Sequence, residues 1–168
     1  MSKQSSEAKF NLEPEDSAIS KTAMLTDRHI QMAQELSHGQ FLHTGGLMSP
    51  SLSTVRQFLA MRQEVVQVLH TGGLHWVTVS TIGCKGNNKI NLYNSLSHGI
   101  SPQSEEQIAS VPFVDNADHL EVSIPPVVQQ TNGIDCGVYD IAFATVLCDN
   151  VDPTSRKFNR RAIRDQLW

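Results

Sequence analysis

Three cysteines, Cys84, Cys136 and Cys148, and seven histidines are the side chains of this sequence that can act as nucleophile or general base near neutral pH. Cys136 stands apart from the other two thiols. It follows a tight turn, QTNGIDCG, and opens the most apolar helical stretch of the chain. A thiol at that place faces unpaired backbone N–H groups and the positive end of a helix dipole, both of which favour thiolate. Gly137 beside it leaves room for another backbone or a substrate to come close. The same position also suits a small buried residue that merely begins a core helix, and position alone does not separate the two readings. Cys84 sits in a Gly/Asn turn with no base nearby in sequence. Cys148 lies at the far end of the helix, where the dipole opposes a thiolate, so both are read as structural.

A thiolate nucleophile needs a base within hydrogen-bond reach, and the base needs a partner that orients its other ring nitrogen. His29, His38, His43, His98 and His119 fall on helix faces or in loops, where a solvated role suffices. His70 and His75 flank a Gly72-Gly73 turn at strand ends. His75 is preferred because Trp76 follows it and can wall off one side of a site. Asn94 ends the strand expected to pair with the His75 strand and is placed to reach the imidazole, whereas Asn91 should face the other side of the sheet. The pairs His38/His43 and His70/His75 share a spacing, but no cysteine pair has zinc-like spacing, so no metal site is expected.

The elements that must position these residues follow from periodicity. A helix is expected from an N-cap at Thr26 or Asp27, with Ile30, Ala33 and Leu36 on one stripe and Gly39 near its end. Residues 53–60 are ambiguous between a short helix and a turn. From Glu64 the pattern changes to strands: Val65–Leu69, a Thr71-Gly72-Gly73 turn, Trp76–Ile82, a Gly/Asn turn over 83–88, and Lys89–Asn94. Three strands with short turns imply an antiparallel meander. Ser101 as N-cap and Pro102 at the first helical position open a helix through Ile108 and Val111. Glu121–Ile124 is a short strand, and Pro125-Pro126 keeps Val127–Gln130 extended. Val138, Ile141, Ala142, Phe143, Thr145, Val146 and Leu147 cover nearly the whole circumference of the Cys136–Cys148 helix, which therefore belongs at the centre of the domain. A last helix from about Phe158 turns Phe158, Ile163 and Leu167 inward and its arginines outward. The order of elements reads as α+β.

Composition narrows the classes. At 168 residues, 39% hydrophobic and 18% charged, the chain is one globular domain preceded by a polar leader over residues 1–22, giving a domain over 23–168. The net charge of −4 argues against a generally basic nucleic-acid binder, although residues 156–168 carry a local +4 that leaves −8 on the rest. That basic stretch is read as a solvated helix face. No run approaches a membrane span, and residues 1–21 lack the apolar segment of a secretory signal. An odd cysteine count then fits reduced thiols and an intracellular setting, cytoplasm or nucleus.

His75-Trp76, then INLYNSL, then QTNGIDCG, in that order, resemble the ubiquitin-like-protein-specific cysteine proteases, which include the SUMO proteases and are distantly similar to the adenovirus-type proteases. The likeness runs from about Val65 to Leu147 and covers the leader and the last helix only loosely. It implies a papain-like/adenain-like α+β core, with the cysteine helix packed on a small, mainly antiparallel sheet. It makes Cys136 the nucleophile, His75 the base, and Gln130 the side-chain donor of the oxyanion hole, with the Cys136 N–H as a second donor. Gln129 is out of register by one. Trp76 corresponds to the aromatic wall of a narrow channel for a Gly-Gly C-terminus. The implied partner is a protein substrate, a ubiquitin-like modifier or its conjugate, and no cofactor is implied. At the third position the family usually has Asp where this chain has Asn94. An Asn oxygen can still accept from the imidazole and orient it, as in Cys-His-Asn proteases, but supplies no negative charge. The alternative is an inactive protease-like domain that serves as a protein-binding module. The presence of Cys136, His75 and Gln130 together favours the enzyme. Acyl transfer by the same residues has no cofactor-binding signature to support it.

Overall fold

The computed structural model describes residues 23–51, 64–86, 88–97, 99–110 and 119–167. The expectations for the leader 1–22, for residues 53–60, for the helix end at Val111 and for His98 lie outside them. The elements run α1 (Asp27–Gln40), β1 (Gly45–Gly46), β2 (Val65–His70), β3 (Trp76–Ser80), β4 (Lys89–Tyr93), α2 (Pro102–Ser110), β5 (Glu121–Ser123), α3 (Cys136–Cys148), a 3-10 turn (Pro153–Ser155) and α4 (Arg160–Gln166). Among the described residues no helix is long and apolar enough to cross a membrane.

The five strands form one sheet in sequence order. Its centre is the expected antiparallel meander, with Val68 opposite Thr78 and Thr78 opposite Tyr93. The outer strands β1 and β5 pair in parallel with β2 and β4, so the sheet is mixed. β2 and β3 are buried almost throughout, because helices cover both faces. On one face Val66, Val68, Trp76 and Tyr93 pack with Val138, Ile141, Phe143 and Leu147 of α3. On the other, Val65, Leu69, Val77, Val79, Ile90 and Leu92 pack with Ile108 of α2. The α+β architecture with the cysteine helix at its centre is thus observed.

The expected start of α2 is observed: Ser101 Oγ accepts from Ser104 N at 3.1 Å. Asn159, which the sequence reading did not single out, caps α4 by accepting from Arg161 N and Ala162 N. Three expectations need correction. Leu36 is not part of the buried stripe of α1 but 58% exposed. Its place is taken by Gln34 and Ser37, and Gln34 is satisfied by donating to the Met48 carbonyl and accepting from Gln67 and from Val68 N. Phe158 precedes α4 rather than lying in it, and packs edge-on against Phe143 at 5.3 Å. The arginines of α4 do not all face outward, since Arg164 is buried.

Candidate active site

The β2–β3 turn, the end of β4 and the start of α3 meet at one edge of the core. The turn is tight: Thr71 N donates to His75 O at 2.9 Å, and His75 N to Gly72 O at 3.3 Å. Closing it takes three successive residues with left-handed backbone, Gly72, Gly73 and Leu74, the last at φ 71°. Glycine enters that region freely, whereas a leucine there costs about 1–2 kcal/mol. The strain sits beside His75 and turns the Leu74 carbonyl towards Cys136, whose thiol donates to it at 3.8 Å.

His75 and Asn94 lie at the same end of the sheet because β3 and β4 pair with Thr78 opposite Tyr93. The ring Nε2 of His75 is 3.0 Å from Asn94 Oδ1. That oxygen also accepts from Leu96 N at 2.9 Å and Ser97 N at 3.2 Å. Two backbone N–H donors require an oxygen at this point, so the orientation of the Asn94 amide follows from its surroundings. Nε2 therefore carries the proton in the neutral ring, and Nδ1 is left as the acceptor. Nδ1 is buried and has no hydrogen-bond partner among the described residues. Burial lowers the His75 pKa, the Asn94 bond acts against this, and the charge of His70 adds to it.

Cys136 is the first residue of α3 and is 1% exposed. Its thiol lies against the segment that carries His75, close to the Leu74 carbonyl and the Trp76 N–H. Burial raises its pKa; Asp140 adds to the rise, while the N–H groups of Trp76, Gly137 and Cys136 itself oppose it. Both shifts favour the uncharged forms, thiol at Cys136 and imidazole at His75. The close approach allowed by Gly137 is used by α1 and the chain before it: a Cβ there would stand 3.0 Å from Leu25 Cβ and 3.2 Å from Ile30 Cδ1. Neither a second backbone nor an open surface occupies that side.

Gln130 runs alongside the end of β4. Its N–H donates to Ser95 O at 2.6 Å, and Ser95 Oγ donates to Gln130 Oε1 at 2.7 Å. With Oε1 engaged, the amide points its NH₂ to the Asn132 carbonyl and retains a second N–H. Gln129, one residue earlier, braces the strand end instead, its Nε2 donating to the backbone carbonyl of Asn94 at 3.0 Å. Trp76 is 2% exposed, part of the core, with its ring edge-on to His70 at 4.7 Å. Its indole is covered rather than presented to solvent.

The other thiols lie apart from this constellation. Cys84 is half-buried in its turn, with burial raising its pKa. Cys148, at the other end of α3, is pushed up to about 11 by burial. All three cysteines are unpaired.

Two carboxylates beside the site escaped the sequence reading. Asp140, one turn after Cys136, is fully buried, and burial holds its carboxyl well above the usual carboxylate range. It accepts from Thr78 Oγ1 at 2.6 Å. Asp135, the residue before Cys136, is bonded by Asn132, Arg160 and Arg164. Burial works to raise its pKa, but those three partners prevail and hold it below the ordinary value. Its local signal was Asn132 three residues earlier, a spacing that suits an Asx turn. Asn132 Oδ1 indeed accepts from Ile134 N and Asp135 N.

None of the curated proteins matches the chain significantly. Solved structures share its fold. The Xanthomonas campestris effector protein XopD, bound to ubiquitin, is 16% identical, with TM-score 0.66 over 94% of this chain and 96% of that one. The C-terminal Ulp1 protease domain in complex with Smt3, the yeast ortholog of SUMO, is 16% identical, with TM-score 0.62 over 86% and 73%. The Chaetomium thermophilum Ulp1-like SUMO protease catalytic domain is also 16% identical, with TM-score 0.59 over 88% and 70%. Residues 63–168 match the Ulp1 protease family, C-terminal catalytic domain, and the match takes in the last helix as well as the cysteine turn. The chain therefore belongs to the Ulp1 family of cysteine peptidases.

Proposed function

We propose that residues 23–168 form one catalytic domain that hydrolyses the peptide or isopeptide bond after the Gly-Gly C-terminus of a ubiquitin-like modifier, using Cys136, His75, Asn94 and Gln130. The observation that carries this reading is the His75 ring: Asn94 holds its Nε2–H, and its buried, unpartnered Nδ1 belongs to the segment against which the Cys136 thiol lies. Nδ1 takes the proton from Sγ as sulfur bonds to the scissile carbonyl carbon. The oxyanion is met by the Cys136 N–H and the spare N–H of Gln130. As the tetrahedral intermediate collapses, the C–N bond breaks and the imidazolium gives its proton to the leaving amine. A water, deprotonated by Nδ1, then hydrolyses the thioester and restores the thiol. The covered indole of Trp76 contributes as the floor beneath this site, and its backbone N–H faces sulfur. Unpaired thiols suit an intracellular setting, cytoplasmic or nuclear. Family membership and the ubiquitin- and Smt3-bound state of two structural neighbours support the substrate class.

The test is labelling by ubiquitin and SUMO carrying a C-terminal electrophile, on wild type and Cys136→Ala in parallel. Labelling of wild type alone identifies nucleophile and modifier class together. Absence of labelling by either probe, on folded protein, would sink the reading and leave a binding module.

A further inference from the structure

A charged pair buried between elements is a poor source of stability, because desolvation offsets most of its attraction. This chain nevertheless buries Asp135 at 2% exposure and Arg164 at 5%, at the turn that leads into Cys136. Arg164 of α4 donates twice to one carboxylate oxygen, Nε at 3.1 Å and Nη2 at 2.7 Å, and Nη2 also meets the Ile134 carbonyl at 3.5 Å. The other oxygen accepts from Arg160 Nη1 at 2.8 Å and from Asn132 Nδ2 at 2.7 Å. Asn132 in turn receives Gln130 on its backbone carbonyl. One hydrogen-bonded chain thus links the last helix to the Gln130 amide and to Asp135, the residue joined by its peptide bond to Cys136.

Asp135 is also the N-cap residue of α3, a position at which an Asp side chain ordinarily accepts from the first-turn N–H groups. Here it makes no such bond. Turned to the arginines, the carboxylate leaves the first turn of α3 uncapped, and two guanidiniums offset a negative charge that would oppose an oxyanion there.

Resting on the activity proposed above, we propose that Arg164, seconded by Arg160, is a positioning residue: through Asp135 it fixes the 130–136 turn, so that Gln130 and the first N–H groups of α3 converge on the oxyanion. The test uses the full chain with Arg164→Lys, which keeps the charge but loses the fork. It reads fluorogenic C-terminal conjugates of ubiquitin and SUMO, and amide hydrogen exchange. The expected result is a kcat lower by about 10- to 100-fold with KM within about threefold. Exchange should quicken over residues 130–137 while β2 and β3 keep their protection. A folded Arg164→Lys with unchanged kcat, a loss confined to KM, or unchanged exchange in the turn would overturn the proposal. Should Arg164→Lys not fold, Arg160→Gln decides by the same readouts, expected at about threefold in kcat; its side chain is 51% exposed, so the fold tolerates it. If wild type cleaves neither conjugate, the proposed activity fails, and the exchange result still decides the clamp.

Discussion

The two ends of α3 carry the same chemical group in different surroundings. Cys136 and Cys148 are both buried, and burial pushes both thiols up. At the Cys148 end the residue is buried as part of the core cluster, with the Thr44 side chain as a polar neighbour, and the helix dipole there opposes negative charge. At the Cys136 end burial is answered by groups that act only when charge develops. These are the unpartnered Nδ1 of His75, N–H groups close to the thiol, and a glutamine amide with a donor to spare. Desolvation alone makes an inert thiol; on the proposed mechanism, desolvation beside a pre-oriented base and donors makes Cys136 a nucleophile that waits for substrate.

The strongest way to break the comparison is to delete each sulfur. Cys136→Ala should lower turnover by about 10⁴-fold or more, while Cys148→Ala should leave kcat and KM unchanged. Equal losses at the two positions would mean that α3 matters only as core. Next in size is Gln130→Ala. Loss of one oxyanion donor costs about 10²–10³ in kcat, or about 3 kcal/mol, with KM little changed. Gln129→Ala, one residue away, serves as the contrast, since Gln129 braces the Asn94 backbone and touches no reacting group. If Gln129→Ala were the more damaging of the two, the register of the oxyanion donor would be off by one.

How much of this was legible in the sequence depended on the range of the signal. The meander, the central helix and the cap at Ser101 are local patterns of period and turn chemistry, and they appear where the pattern puts them. His75 and Asn94 could be paired because adjacent antiparallel strands place their ends together. The rest depended on partners distant in the chain. β1, two residues long, has no period to read, and although β5 was expected as a strand, nothing local sets which strand it pairs with, so the parallel edges were not foreseen. Arg164 looked like a surface residue of an amphipathic helix, since nothing local announces that its partner is Asp135. Gln34 and Asp140 defeated the pattern likewise: Gln34 is buried with partners far away in sequence, and Asp140 is buried with Thr78 bonded to one carboxyl oxygen and no partner for the other among the described residues.

The identity of the third residue sharpens the Cys136 end further. On the proposed mechanism His75 is the base and must be neutral to work; burial lowers its pKa, so the acid limb of kcat/KM in wild type should lie below the usual imidazole range. An aspartate at position 94 accepts the same three N–H donors and adds a negative charge beside the ring. The charge favours imidazolium, so Asn94→Asp should move the acid limb to higher pH and preserve or raise kcat above it. A pH profile that keeps its limb in place would show that residue 94 does not face the base, and a large loss of kcat would show the wrong third residue.

The smallest effect belongs to the other end of the helix. Cys148 is 0% exposed and lies in the same cluster as Leu147, Phe143 and Val138. Cys148→Ala removes one sulfur's worth of packing and leaves a cavity near the size of a methyl group. The cost should be about 1 kcal/mol, a fall of about 2–4 °C in Tm for a chain of this length. Cys148→Ser buries a hydroxyl that is costlier to desolvate than a thiol and, on its shorter C–O bond, sits farther from Thr44. It should be worse than alanine by about 1 kcal/mol. At Cys136 the order of concern reverses. Serine and alanine there should both fold, serine with the Leu74 carbonyl as a nearby acceptor for its hydroxyl and alanine with no polar group to satisfy, and both should be inactive. Thermal melts of the four variants, set against their turnover, therefore separate a sulfur kept for packing from one kept for chemistry. A Cys148→Ala variant that melted like wild type but lost turnover would merge the two roles that the ends of α3 hold apart.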